Sequence, residues 1–160
     1  MATANKDLSH YDTAKIPDGS SLKVGLVVSE WNSEITESLC DGAYSTLLDC
    51  GVKKDNIARW NVPGSFELPF GCKKMINALS VDAIIAIGSV IRGETSHFDY
   101  VCSATSQGIM DLNLQTQIPI IFCVLTDDTW QQSKDRSGGK LGNKGVEAAV
   151  TAIKMTHLGI

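Results

Sequence analysis

Four short apolar runs alternate with four amphipathic stretches along the chain. The first run, Lys23-Val24-Gly25-Leu26-Val27-Val28-Ser29, has the continuous apolar character of a strand buried on both faces. Asn32 or Ser33 then starts a helix in which Ile35, Leu39, Ala43, Leu47 and Leu48 recur, and Cys50-Gly51 closes it with a glycine cap. Ile57 to Val62 is the second predicted strand, ended by Pro63-Gly64. Leu68, Cys72, Met75, Ile76 and Leu79 mark the second helix, where Pro69 is tolerated only in the first turn. The third strand, Asp82 to Ile87, runs into a glycine-bounded polar turn beginning at Gly88. Phe98, Val101, Cys102, Thr105, Ile109 and Leu112 follow at helical spacing, with Thr95 or Ser96 as N-cap. Ile118 to Leu125 is the fourth strand and leads to Thr126-Asp127-Asp128; the last helix carries Val146, Ala149, Val150 and Ile153.

Strand and helix in strict alternation predict an α/β architecture, a parallel sheet covered on both faces by right-handed crossovers. Residues 1–21 are polar and mixed, with Pro17-Asp18-Gly19-Ser20 as a turn signal. They read as an extended arm outside the core, and residues 22–160 as a single domain. A chain of 160 residues with 43% hydrophobic content is large enough to stand on its own core.

Charge and cysteine usage narrow the function classes. The net charge is −4, with lysines and arginines scattered and no basic stripe interleaved with aromatics, so nucleic acid is not the expected partner. No apolar segment has the length of a membrane span, and the start M-A-T-A-N-K-D-L lacks the apolar centre of a signal peptide. Cys40, Cys50, Cys72, Cys102 and Cys123 are odd in number, widely spaced and mostly inside apolar runs, the pattern of reduced thiols in a cytoplasmic protein. No C-x-x-C is present and the three histidines lie far apart, so neither zinc nor thiol redox chemistry is expected.

Candidate chemistry clusters after the strand ends, where open α/β sheets bind ligands. Trp31 directly follows the first strand: it either stacks on a flat heterocycle or covers the sheet edge. Ser65 and Glu67, after Gly64, offer hydroxyl, N–H and carboxylate groups to an amide-like or polyol ligand, or else simply begin a helix. His97 falls in the first turn of its helix, where backbone dipoles favour a neutral imidazole able to move protons; an isolated histidine of this kind can equally be structural. Arg136 to Gly145, R-S-G-G-K-L-G-N-K-G, is the cationic glycine-rich loop of the chain, either a phosphate grip or a solvated turn between helices. It is not a Walker sequence.

Four motifs together, W-N-V-P-G-S-F-E-L-P (Trp60 to Pro69), G-S-V-I-R-G-E-T-S-H-F-D-Y (Gly88 to Tyr100), I-P-I-I-F-C-V-L-T (Ile118 to Thr126) and the Arg136 to Gly145 loop, resemble the 6,7-dimethyl-8-ribityllumazine synthase family. The resemblance runs in order and spacing from Leu22 to Leu158. It implies a flavodoxin-like three-layer α/β/α sandwich around a four-stranded parallel sheet, with the N-terminal arm pairing with a neighbouring subunit. It also implies a transferase reaction of riboflavin biosynthesis: 5-amino-6-(D-ribitylamino)uracil condenses with 3,4-dihydroxy-2-butanone 4-phosphate, releasing phosphate and water, without cofactor or metal.

Carried over position by position, the resemblance makes Trp31 the residue stacked on the pyrimidine. Ser65, Phe66 and Glu67 line the ribityl chain, and Ser89, Val90 and Ile91 run along the pyrimidine. Glu94 and Thr95 fall at the butanone phosphate, His97 is the proton-transfer residue and Arg136 the phosphate anchor. Phe122, Arg136 and Lys144 are implied to reach the site from the adjacent subunit. Implied too are a pentamer, and, from the compact Gly138 to Asn143 spacing, an icosahedral 60-mer capsid with riboflavin synthase as a conceivable cargo. Three rival readings share parts of this pattern: a flavin-binding electron carrier, a non-catalytic flavin- or lumazine-binding shell protein, and an archaeal-type riboflavin synthase. The electron carrier is disfavoured because Glu30-Trp31-Asn32-Ser33-Glu34 stands where such proteins place a Ser/Thr/Gly-rich phosphate loop, and the matched loops favour the lumazine enzyme over the third.

Overall fold

The computed structural model describes residues 7 and 9–159. Its sheet is built from β1 (Val24–Ser29), β2 (Ile57–Val62), β3 (Ala83–Ile91) and β4 (Ile120–Asp127), all parallel, in the order β2-β1-β3-β4. Between and after them come α1 (Ser33–Asp49), α2 (Leu68–Ala78), α3 (His97–Gln115), α4 (Trp130–Arg136) and α5 (Lys144–Thr156). Alternate residues of the strands face opposite ways. Leu26, Val28, Ile85, Ile87 and Leu125 pack with Leu39, Ala43, Ala149 and Ile153 of α1 and α5. Val27, Ile84, Ala86, Ile120 and Val124 pack with Leu68, Cys72, Met75 and Ile109 of α2 and α3. The expected three-layer α/β/α sandwich is therefore formed, with every residue of β1 buried as its unbroken apolar run requires.

Several boundaries differ from the sequence reading, each for a physical reason. β3 does not stop at Ile87 but continues to Ile91, because β4 pairs with it as far as Ile91 opposite Asp127. Gly88 to Ile91 are thus strand, and the polar turn begins at Arg92. β4 starts at Ile120, two residues later than the apolar run, and extends through Asp127. The glycine-rich segment is neither a bare loop nor one continuous turn: Arg136 ends α4, and β5 (Ser137–Gly139) pairs antiparallel with β6 (Gly142–Asn143). In α5 the buried stripe is Gly145, Ala148, Ala149, Ala152 and Ile153, whereas Val146 and Val150 are half-buried. Small residues face α1 because the two helices pack closely on one side of the sheet.

The end of α1 is as its sequence predicts, with Gly51 at φ +93° after Cys50. The chain preceding β1 wraps this end: Gly19 N–H donates to the Cys50 carbonyl at 3.0 Å, and the Tyr11 hydroxyl donates to Asp49 at 3.2 Å. Ile16 packs half-buried against the α1/α5 core, so the arm is not wholly outside it. Residues 1–6 and 8, on which much of the expected arm-to-neighbour pairing falls, lie outside the described residues. Among the described residues no helix is long and apolar enough to cross a membrane.

Candidate active site

The strand order reverses direction between β1 and β3, and the crevice outside the carboxyl ends of those strands is where a doubly wound sheet accepts a ligand. A cleft of about 570 Å³ opens there, lined by the turns after β1, β2 and β3 and by the start of α3. Trp31, Ser65, Phe66, Glu67, Ser89, Val90, Ile91, Thr95 and His97 all contribute to its wall. Trp31 is 73% exposed and Phe66 59%, so both present broad apolar faces to the opening and neither closes the sheet edge as a core side chain. A buried edge-covering role for Trp31 is thereby set aside.

Local structure explains how these side chains converge. β1 pairs with β3 only as far as Val28 opposite Ile87. Beyond that point Asn32, in the left-handed conformation at φ 59° and ψ 45°, donates from its side-chain amide to the Ser89 carbonyl at 2.9 Å. The side chain continues the inter-strand ladder after the backbone has turned away, and it fixes Trp31 beside the β3 wall. Turned toward β3 in this way, Asn32 makes no side-chain capping bond to α1.

The floor is formed by Ser65 and Gly88. Ser65 is only 6% exposed, and its hydroxyl has no protein hydrogen-bond partner. Its carbonyl accepts from Thr105 Oγ1 at 3.1 Å, which ties the short 3-10 turn Ser65–Glu67 to α3. A Cβ at position 88 would stand 2.6 Å from Ser65 Oγ and 2.9 Å from Leu68 Cδ1, so only glycine lets β3 pass this close. The unsatisfied hydroxyl is a ready donor or acceptor for a polar ligand group.

On the far side, α3 begins at His97. Ser96 is the N-cap by position, yet its hydroxyl makes no capping bond; Thr95 Oγ1 instead accepts from the His97 N–H at 3.3 Å. The turn before it is braced by Arg92. Its N–H donates to the Asp127 carbonyl at 3.0 Å, its Nε donates to Asp128 at 2.7 Å, and its guanidinium lies 3.2 Å from Asp99 and 4.1 Å from the centroid of the Phe98 ring. The hydrogen bond to Asp128, reinforced by Asp99, raises the Arg92 pKa above its usual value. Phe98 lines the cleft, so this clamp sets the angle at which α3 presents His97.

The remaining sequence candidates lie elsewhere on the subunit. Glu94 is exposed and is not part of the cleft wall, although Gly93 and Thr95 on either side are. Phe122 sits on β4, 37% exposed and outside the cleft. Arg136, at the end of α4, donates to the Gln132 carbonyl at 2.9 Å and lies 3.8 Å from Asp127. Lys144 begins α5 and donates to Glu147 at 2.9 Å. Among the described residues no group of three or more His, Cys, Asp or Glu side chains could hold a metal. Cys40, Cys72 and Cys123 are buried, and desolvation pushes their thiols up to about 11, 12 and 12.

Sequence reasoning placed Asn32 in the polar cluster after β1 without its tie to β3, and gave no site role to Arg92, to Thr105 or to the buried pair Asp127 and Ser133, whose side chains bond at 2.8 Å. Arg92 had a signal in the acidic residues Asp99 and Asp128 near predicted element ends. The Asn32 tie had none, since it depends on where two strands part.

The chain is similar over nearly its whole length to proteins of one family. A family model described as 6,7-dimethyl-8-ribityllumazine synthase matches residues 21–159. A protein of that name from Flavobacterium johnsoniae is 60% identical over 99% of this chain and 83% of its own length. Namesakes from Christiangramia forsetii and Parabacteroides distasonis are 59% and 57% identical, covering 99% and 98% of this chain and 95% and 98% of their own.

Proposed function

The chain belongs to the 6,7-dimethyl-8-ribityllumazine synthase family, and on that premise we infer that its cleft condenses 5-amino-6-(D-ribitylamino)uracil with 3,4-dihydroxy-2-butanone 4-phosphate in riboflavin biosynthesis. The protein is a transferase. The observation that carries the assignment of the site is the convergence of Trp31, Ser65, Glu67, Ser89 and His97 around one cleft at the switch point of the sheet.

The chemistry explains the residue types. Trp31 offers a flat face for the pyrimidine, and Val90 and Ile91 an apolar wall along its edge. The Ser65 hydroxyl and Glu67 supply hydrogen-bond partners for the ribityl chain, with Phe66 covering the mouth. The arylamine of the uracil attacks the ketone and water leaves to give a Schiff base. Phosphate then departs by elimination, and ring closure follows with further loss of water. Each step moves a proton, and His97 at the edge of the cleft is the shuttle. Thr95 and the start of α3 receive the phosphate end through backbone N–H groups and the helix dipole. Glu94 contributes there only through its backbone, because its carboxylate would repel the anion.

Arg136, Phe122 and Lys144 stand outside the cleft of their own subunit, which supports a site completed by a neighbour. Exposed Tyr100, Met110 and Leu114 along α3, with Phe70 and Phe122, give that neighbour an apolar surface to cover. The assembly we propose is a pentamer, twelve of which build a 60-mer capsid able to enclose riboflavin synthase, in the cytoplasm. Sedimentation velocity tests the assembly: a species of pentamer size in every buffer removes the capsid.

Turnover tests the function. Purified protein mixed with both substrates and a chelator should accelerate lumazine formation, followed by absorbance and released phosphate, over the uncatalysed reaction. No acceleration by assembled protein would return the non-catalytic shell reading.

A further inference from the structure

We propose that Asp127 is the resting partner of Arg136, a positioning residue that holds the guanidinium between turnovers and competes for it with the substrate's phosphate; this rests on the reading that Arg136 binds phosphate. Asp127 ends β4 and is only 9% exposed. One carboxylate oxygen, Oδ2, accepts from the Ser133 hydroxyl at 2.8 Å, and the other, Oδ1, faces Arg136 Nη1 at 3.8 Å. A buried carboxylate has about four lone-pair sites to satisfy, and its burial costs least beside a cation. The other cations of this region are committed: Arg92 to Asp128 at 2.7 Å, Lys134 to Glu34 at 2.6 Å and Lys140 to Asp135 at 3.1 Å.

The Arg136 contact differs from those three in its length. At 3.8 Å it lies beyond hydrogen-bond distance, so the guanidinium is attracted to Asp127 without a closed bond. Its one direct bond from this nitrogen is to a neutral carbonyl, that of Gln132. Such an arginine is held in place and charged, yet released at little cost when a doubly charged anion arrives. Ser133 governs how far the carboxylate can turn toward it. Its own hydroxyl is fully buried and lies 3.4 Å from that of Ser89 on β3, which limits how far the latch can move.

The experiment compares Asp127→Asn, Ser133→Ala and Arg136→Ala in the assembled protein, reading KM for each substrate and the affinity for inorganic phosphate by calorimetry. A buried carboxylate beside the anchoring arginine opposes a doubly charged anion there by roughly 3- to 10-fold in affinity. Asp127→Asn should therefore lower both the phosphate dissociation constant and the KM for the butanone phosphate by that factor, leaving KM for the ribitylaminouracil unchanged. Ser133→Ala frees Oδ2, lets the carboxylate close on Arg136 and should weaken phosphate binding a few-fold. A merely structural role would raise both KM values together in both variants, and that result overturns the latch. If Arg136→Ala loses phosphate affinity while Asp127→Asn does not gain it, the latch alone fails. If Arg136→Ala binds phosphate as well as the parent, the anchor reading fails and the latch with it.

Discussion

Replacing Asn32 separates two effects that the structure joins in one residue. Its amide donates to the carbonyl of Ser89, which is 1% exposed, and its backbone sits at φ 59°. Asn32→Ala removes the donor and leaves a buried carbonyl without this partner, at about 1–3 kcal/mol. It also places a Cβ residue lacking a compensating polar side chain in the left-handed region, at about 1–2 kcal/mol relative to glycine. Asn32→Gly loses the same hydrogen bond and relieves the backbone. The alanine variant should therefore melt roughly 3–6 °C below the glycine variant for a domain of this size. Both should raise KM for the ribitylaminouracil similarly, because both free Trp31 from the β3 wall. Circular dichroism melts at one protein concentration and steady-state kinetics check the two halves. Equal melting temperatures would refute the backbone argument, and an unchanged KM in both variants would refute the role of the tie in shaping the cleft.

Gly88→Ala puts a Cβ 2.6 Å from Ser65 Oγ, and overpacking there should cost about 1–3 kcal/mol of stability and raise KM; a variant with parental melting and kinetics would show that the floor has room. Arg136→Ala should lose more of kcat/KM than His97→Ala, since orientation of two reactive substrates supplies much of the rate while the arginine both anchors and stabilises the departing phosphate. Steady-state kinetics showing the histidine variant the weaker enzyme would reverse that ranking. A thiol reagent at pH 8 should modify Cys50 and Cys102, which are half-buried, far faster than Cys40, Cys72 and Cys123. Those three have thiol pKa values pushed by burial up to about 11, 12 and 12, so below that range they stay protonated, and their labelling should await unfolding.

The layers of the fold were legible because its central strands are buried on both faces: the runs Val24 to Ser29 and Ala83 to Ile87 leave no other reading. The places where reading failed are those where pairing decides. Nothing local says that β3 continues through polar Ser89 to Ile91; β4 imposes it by running alongside. The short α4 and the β5–β6 hairpin escaped because seven polar-rich residues and a glycine-rich turn carry little periodicity. In the site, single residues such as His97 and Trp31 were visible by type and place, and the family resemblance supplied their roles. The supports were not visible, because Asn32 to Ser89 spans 57 residues of sequence and Thr105 to Ser65 spans 40.

The proposed site is a cleft shaped by one subunit and completed by Arg136 of the next. Co-expressing His97→Ala and Arg136→Ala chains under two purification tags, and isolating particles that carry both, measures it most directly. In a ring of randomly mixed subunits roughly a quarter of the sites pair an intact cleft with an intact arginine, so specific activity should exceed the mean of the two parent variants and approach that fraction of the unmodified enzyme. Activity no higher than that mean in verified mixed particles would contradict the shared site.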